Sequence, residues 1–168
     1  FASVRMRPMT LSELGRSSNA ISLAALLDGQ DSRSPDTKTA LDDIVAEVVR
    51  GGWPGLRDLP PDRASKLNQT YLDRVARTDI ISVDGIRRNP GQVKAVVESV
   101  ARNVATQATL ASIATDASGH GVDVTDDTVG SYLEALERLM VVEDLLAWNT
   151  HLRSRHRLRT RPTRHFVD

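Results

Sequence analysis

Between Thr109 and Trp148 the chain reads TLASIATDASGHGVDVTDDTVGSYLEALERLMVVEDLLAW. The pattern is a helix, a glycine-containing turn, a longer helix and a hydrophobic strand. That order belongs to a helix-turn-helix unit leading into a wing. In the second helix Val129, Leu133, Leu136 and Met140 recur at helical spacing on one face, with Tyr132 and Leu139 beside them. Thr125 is placed to cap this helix, and Asp126 and Asp127 suit the positive end of its dipole. Val141 to Trp148 predicts the strand, with Val142, Asp144 and Leu146 on one side and Glu143, Leu145 and Ala147 on the other.

A chain of 168 residues fits one domain, or one domain with an appendage. Apolar residues are 40% but aromatics only 4%, so any core must be aliphatic. Lys plus Arg and Asp plus Glu balance at 22 each, so electrostatic arguments have to be local. Without cysteine there is no disulfide and no thiolate chemistry, which fits the expected location, a reducing cytoplasm. No apolar run approaches the roughly 18 residues of a transmembrane helix, and no signal peptide is visible. A membrane is therefore not among the expected partners.

Before the helix-turn-helix, helical segments follow one another. Phe1 to Met9 alternates apolar and polar residues and predicts a strand, with Val4 and Met6 inward and Arg5 and Arg7 outward, ended by Pro8. Thr10 and Glu13 have capping-box spacing over a short turn of helix that Gly15 stops. Ile21 to Leu27 is apolar nearly all round, which predicts burial or docking. Gly29 to Thr37 has linker composition. Thr39 to Arg50 predicts a helix with Leu41, Ile44, Val45 and Val48 on one side. Gly51, Gly52, Trp53, Pro54 and Gly55 break it and hold Trp53 on a rigid loop. Pro61 opens a helix to about Thr78, with Leu67, Tyr71, Leu72 and Val75 on its apolar face. Ile80 to Val83 suggests extended backbone. Gly91 to Val104 predicts a helix with Val93, Val96, Val97, Val100 and Val104 inward. The start at Phe1 and the stop at Arg164–Asp168, both inside expected strands, suggest a fragment of a longer protein.

Candidate chemistry is sparse. There is no GxxxxGK[ST] phosphate loop, no Ser in a GxSxG elbow and no Cys nucleophile. His120, His151, His156 and His165 lack ligand spacing with a second His or carboxylate, so no metal is expected. Arg153, Arg155, Arg157, Arg159 and Arg161 alternate; an extended backbone would put all five on one side as a cationic stripe suited to phosphates. A solvated wing loop, or pairing with carboxylates elsewhere in a longer protein, accounts for the same pattern. Ser131 and Arg138 lie on the outward face of the second helix and complete the candidate nucleic-acid-binding set. That face is otherwise acidic, through Asp126, Asp127, Glu134 and Glu137, and carboxylates repel DNA. Winged helices also serve as protein-interaction modules, and an acidic face fits that use. Arg87 and Arg88 precede a helix; ion pairs to Asp79 or Asp84 are favoured there over a phosphate contact.

The strings RMRPMTLSELG, GGWPG, YLDRVARTDI, SYLEALERLMVVEDLLAW and RHFVD, in this order, resemble a bacterial and archaeal family of AAA-type ATP-binding proteins. Its members carry, after the ATPase, a domain of unknown function with a winged helix and then a nuclease-like segment. RMRPM resembles the last strand of the ATPase core. Gly51, Gly52, Trp53 and Pro54 match the family's GG-aromatic-Pro turn, and RHFVD resembles the strand entering the nuclease-like part. The resemblance implies residues 1–30 as the end of the ATPase core and linking helices, 31–107 as a helical region with the GGWPG turn, and 108–168 as a winged helix-turn-helix. It implies ATP and Mg for the parent protein only, because the phosphate loop and the nuclease carboxylates would lie outside this chain.

The expected fold class is mainly α, a helical region with a winged helix-turn-helix and a small β-sheet. The expected function is a non-catalytic interaction or linker region of an AAA-type ATPase, contacting protein or DNA; the alternative is sequence-nonspecific DNA binding through the basic wing. No cofactor is expected in this chain. Expected partners are the ATPase core of the same polypeptide, DNA and a second copy of the chain.

Overall fold

The computed structural model describes residues 6–34, 39–119, 121–147 and 161–168. These are mainly helical with a small two-stranded antiparallel sheet, the class expected from the sequence. Contacts divide the chain into two units, Phe1–Asn68 together with Asp168, and Gln69–Val167.

In the first unit, local hydrogen bonding shapes the early turns. Glu13 N–H donates to Thr10 Oγ1 at 3.2 Å, and Thr10 N–H donates to Glu13 Oε2 at 2.8 Å, closing a reciprocal capping box. Helix α1 (Leu23–Leu27) is capped by Ser22, and helix α2 (Leu41–Arg50) carries Asp42 and Asp43 in its first turn. The strand expected over Phe1–Met9 is corrected: residues 6–9 form none and Met6 is 74% exposed, while Phe1 to Arg5 lie outside the described residues. The leucines of α1 are exposed, against the burial though not the docking expected for Ile21–Leu27, and the α2 stripe of Leu41, Ile44, Val45 and Val48 is exposed as well. Periodicity identifies an apolar face, but it does not supply a neighbour to cover it.

Helix α2 ends at Gly51, whose φ of +75° suits a residue without a side chain. Gly52 is the tighter position. Met9 N–H donates to Gly52 O at 2.7 Å, and Gly52 N–H donates to Asp168 Oδ1 at 2.7 Å. Segments far apart in sequence thus meet at the GG step. Pro54–Leu56 form one 3-10 turn after it. Arg50 closes the loop by donating from Nε to Leu59 O at 3.0 Å, with Glu47 2.9 Å from its Nη1.

Helix α3 (Pro61–Arg74) contains the boundary between the units. A π-helical turn, Val75–Asp79, and a short α4 (Ile80–Ser82) continue it. The extended backbone expected at Ile80–Val83 is therefore corrected to helix. β-branched residues favour strands, but here the widened turn sets Val75, Ala76 and Ile80, all within 2% exposure, into the core.

Helices α5 (Pro90–Arg102), α6 (Leu110–Ser118) and α7 (Asp126–Arg138) build most of the second unit. Each has its cap: Asn89 accepts from Gly91 N–H, Thr109 from Ser112 N–H and Thr125 from Thr128 N–H. Val93, Val96, Val100, Ile113, Val129 and Leu136 are fully buried between them. Val104 and Met140, expected inward, are each 45% exposed, because α5 and α7 end before them; Met140 has φ +58° at the turn out of α7. Strand β1 (Val142–Leu145) then pairs antiparallel with β2 (Thr163–Phe166), Val142 opposite Phe166 and Leu145 opposite Thr163.

A Cβ added at Gly52 would lie 2.6 Å from Met9 O and 2.8 Å from Pro8 Cβ. Gly52→Ala is expected to cost about 1–3 kcal/mol by overpacking, read as a lowered urea midpoint in tryptophan fluorescence. Gly55→Ala, whose Cβ meets nothing within 4 Å, is expected to change stability by less than about 0.5 kcal/mol. Equal midpoints for the two variants would refute the packing account.

Candidate interaction surface

Helix α7 divides its residues sharply. Val129, Tyr132, Leu133 and Leu136 are buried, while Asp126, Asp127, Ser131, Glu134, Glu137 and Arg138 are exposed. Capping by Thr125 and packing of the inward stripe fix which way these polar side chains point.

Two of them, the candidate nucleic-acid contacts Ser131 and Arg138, face the loop between α4 and α5. Arg88 of that loop is 8% exposed and forms a bidentate pair with Asp84, Nη1 to Oδ1 at 2.9 Å and Nη2 to Oδ2 at 2.7 Å. Its Nη1 also donates to Ile80 O at 3.3 Å, and its Nη2 to Ser131 Oγ at 3.5 Å. The guanidinium lies 5.9 Å from the centre of the Tyr132 ring. Tyr132 in turn donates its hydroxyl to Gln92 Oε1 at 2.8 Å. Arg138 donates to Val83 O at 3.5 Å. Of the two acidic partners considered for Arg88, the structure uses Asp84; Asp79 pairs with Arg74 at 3.3 Å. The hydrogen bonds from Arg88 and from Ile86 N–H hold the Asp84 carboxyl down at about 2.

On its other flank α7 borders a groove of about 240 Å³ shared with β1 and β2. Leu110, Gly130, Leu133 and Val142 give it apolar lining; Glu134, Glu137, Glu143 and Asp144 supply carboxylates. Arg164, also in the lining, is 3.3 Å from Asp144 Oδ1 and donates to Ala108 O at 3.0 Å. A second hollow, of about 400 Å³, lies by the N-terminal end of α6 and includes Thr109, Asp126, Arg161 and Arg164. Arg161 is the member of the alternating arginine series that the structure places. Arg153, Arg155, Arg157 and Arg159 lie outside the described residues, as do His120, His151 and His156.

The motif residues Gly51, Gly52, Trp53 and Pro54 are remote in sequence from α7 and belong to the first unit. There the Asp168 carboxylate accepts from Gly52 N–H. Sequence patterning gave Asp168 no role, because only folding brings it to the GG step. The carboxylates of β1 were likewise missed; strand alternation carries no information about a groove shared with α7. No group of three or more His, Asp or Glu side chains able to hold a metal occurs among the described residues. No helix among them is long and apolar enough to cross a membrane.

A family model described as a domain of unknown function, DUF8612, matches residues 41–168. No curated protein and no solved structure matches the chain.

The low value at Asp84 has a pH consequence. A depressed carboxyl stabilises the fold fully above its unfolded value, near 3.8, and loses that contribution as pH falls toward 2. Wild type is therefore expected to lose more stability than Asp84→Asn across that window, measured by urea unfolding at stepped pH. Arg88→Leu is expected to cost about 2 kcal/mol at neutral pH, the scale for losing hydrogen bonds to a charged group. Identical acid sensitivity in wild type and Asp84→Asn would refute this role for the pair.

Proposed function

The chain belongs to the DUF8612 family, whose description names no activity; from the sequence resemblance and the surface of α7 we propose that it is a non-catalytic, winged-helix interaction region of a cytoplasmic AAA-type ATPase, contacting protein through α7. The observation that carries this proposal is the outer face of α7. Asp126, Asp127, Glu134 and Glu137 are exposed on it, while Ser131 and Arg138 face Arg88 and Val83 O. A DNA-reading helix needs donors and cations toward the bases and phosphates; a carboxylate face instead suits a protein partner.

The order α6, turn, α7, β1, β2 supports the winged-helix assignment, with β1 and β2 as the wing. The sequence resemblance supports the ATPase context, in which ATP and Mg are bound by the parent protein and the ATPase core is the partner in the same polypeptide. DNA binding is the second function, favoured by Arg161 beside the N-terminal end of α6, where backbone N–H groups and a cation would both suit phosphate.

The isolated chain is expected to hydrolyse no ATP; turnover above a buffer blank in a phosphate-release assay would sink the non-catalytic assignment. Titration with duplex DNA at rising salt separates the two contact modes. Protein contact through α7 predicts no salt-dependent binding. Binding that weakens with salt and is lost on Arg155→Ala with Arg157→Ala would move the function to the wing.

A further inference from the structure

Strands β1 and β2 form a sheet of two, so each has one side turned away from the other. Hydrogen bonds fix which backbone groups face which way. Val167 N–H donates to Val141 O at 3.1 Å, one step beyond the register position that sets Val142 opposite Phe166. Opposed residues in an antiparallel ladder alternate between bonded and non-bonded pairs. Glu143 with His165 and Leu145 with Thr163 are therefore bonded pairs. Asp144 and Arg164, opposite each other between them, turn their backbone groups to the two outer sides of the sheet. Arg164 O accordingly accepts from Ala105 N–H at 2.9 Å.

The outer side of β2 is thus engaged within the fold. The outer side of β1 is open: among the described residues nothing bonds Asp144 N–H or Asp144 O. Val142, the other β1 residue turned this way, is buried, so the accessible edge is Asp144 followed by Leu145 and Leu146, 61% and 75% exposed. A backbone donor and acceptor side by side on a strand edge are matched by another extended backbone. A second copy of this chain fits poorly. Antiparallel addition centred on the strand would set two copies of Glu143, or two of Asp144, directly opposite, and like charges so placed destabilise a pair. The carboxylates therefore guard the edge against its own kind and leave it open to a strand of different sequence. Leu145 lies on the other face from Asp144, where an apolar side chain of an added strand would cover it.

We propose that the open edge of β1 takes an extended segment of a partner protein as a third strand of this sheet, paired through the N–H and C=O of Asp144 with an apolar residue beside Leu145. The proposal does not depend on protein contact through α7. The complete chain is titrated with a peptide of alternating Val and Thr, and amide hydrogen exchange is followed residue by residue by NMR. In the free chain Asp144 N–H is expected to exchange quickly, while Glu143 and Leu145 N–H, bonded to β2, exchange slowly. Peptide is expected to slow exchange at Asp144 at least about tenfold. Fluorescence anisotropy with the labelled peptide is expected to show binding at least about tenfold weaker for Asp144→Pro than for Asp144→Asn. Both variants lose the ion pair with Arg164, but only proline removes the outward N–H, at an edge position where a strand accepts it. Slow exchange at Glu143 and Leu145 in both variants checks that the sheet persists. Absence of peptide binding, unchanged exchange at Asp144 in the bound chain, or equal binding by the two variants would each overturn the proposal. Asp144 exchange already slow in a free chain that sediments as a monomer would mean that the chain covers its own edge, and exchange that slows only as the chain self-associates would assign the edge to a second copy; either result overturns it too.

Discussion

Helices α5, α6 and α7 meet through small aliphatic side chains, and the outer surface of α7 depends on that packing. Val93, Val96, Val100, Ile113, Ala117, Val129 and Leu136 are within 1% of complete burial. Aromatics are 4% of the chain, and Tyr132 of α7 brings a ring into a core built mostly from smaller side chains. Valine and alanine let backbones approach closely, and a close-packed core tolerates little rotation of one helix against another. The rotation of α7 about its own axis is thereby set. Its carboxylates must emerge on the side away from the core, and Gly130 and Leu133 must border the groove with β1. Ser99 shows how tight the arrangement is: fully buried, it donates its hydroxyl to Ile113 O at 3.4 Å, within the α5–α6 contact.

Electrostatics act on this frame locally. A chain of zero net charge has no long-range pull, yet the surface around α7 is sorted. On one flank Asp84 and Arg88 neutralise each other and engage Ser131. On the other, Asp144 and Arg164 tie β1 to β2, and Arg164 reaches Ala108 O just before α6. Such pairing draws cations toward backbone carbonyls and carboxylates of the fold. Glu134 and Glu137 remain exposed between the flanks. The surface is acidic because the neighbouring arginines serve structural partners, not because the chain lacks arginine.

In the first unit the glycine pair joins segments far apart in sequence. Gly52 brings its backbone within hydrogen-bond reach of both Met9 and Asp168, an approach that any Cβ would obstruct. This arrangement gives a structural part to Pro8, Met9, Gly51, Gly52 and Asp168, residues of no obvious chemistry in the sequence. The backbones of Met9 and Gly52 and the carboxylate of Asp168 join there.

Much was legible in the sequence where the cause is local. Thr10 with Glu13 and Thr125 ahead of Asp126 mark helix starts through side chains that satisfy nearby N–H groups. The inward stripe of α7 follows from the 3.6-residue period, and the closing strands follow from β propensity. The same reasoning failed where distant residues decide. Ile80 belongs to a helix because a π turn carries it into the core. The apolar stripe of α2 stays exposed because no element among the described residues covers it. Asp168 finds Gly52 across more than one hundred positions. The helix-turn-helix pattern between Thr109 and Trp148 and its acidic outer face were determined by sequence alone, since period and charge are properties of consecutive residues. Tertiary structure decided that the face adjoins a groove lined by both apolar and charged residues and that Arg88 reaches Asp84 and Ser131, because those distances are set by how α5, α6 and α7 pack.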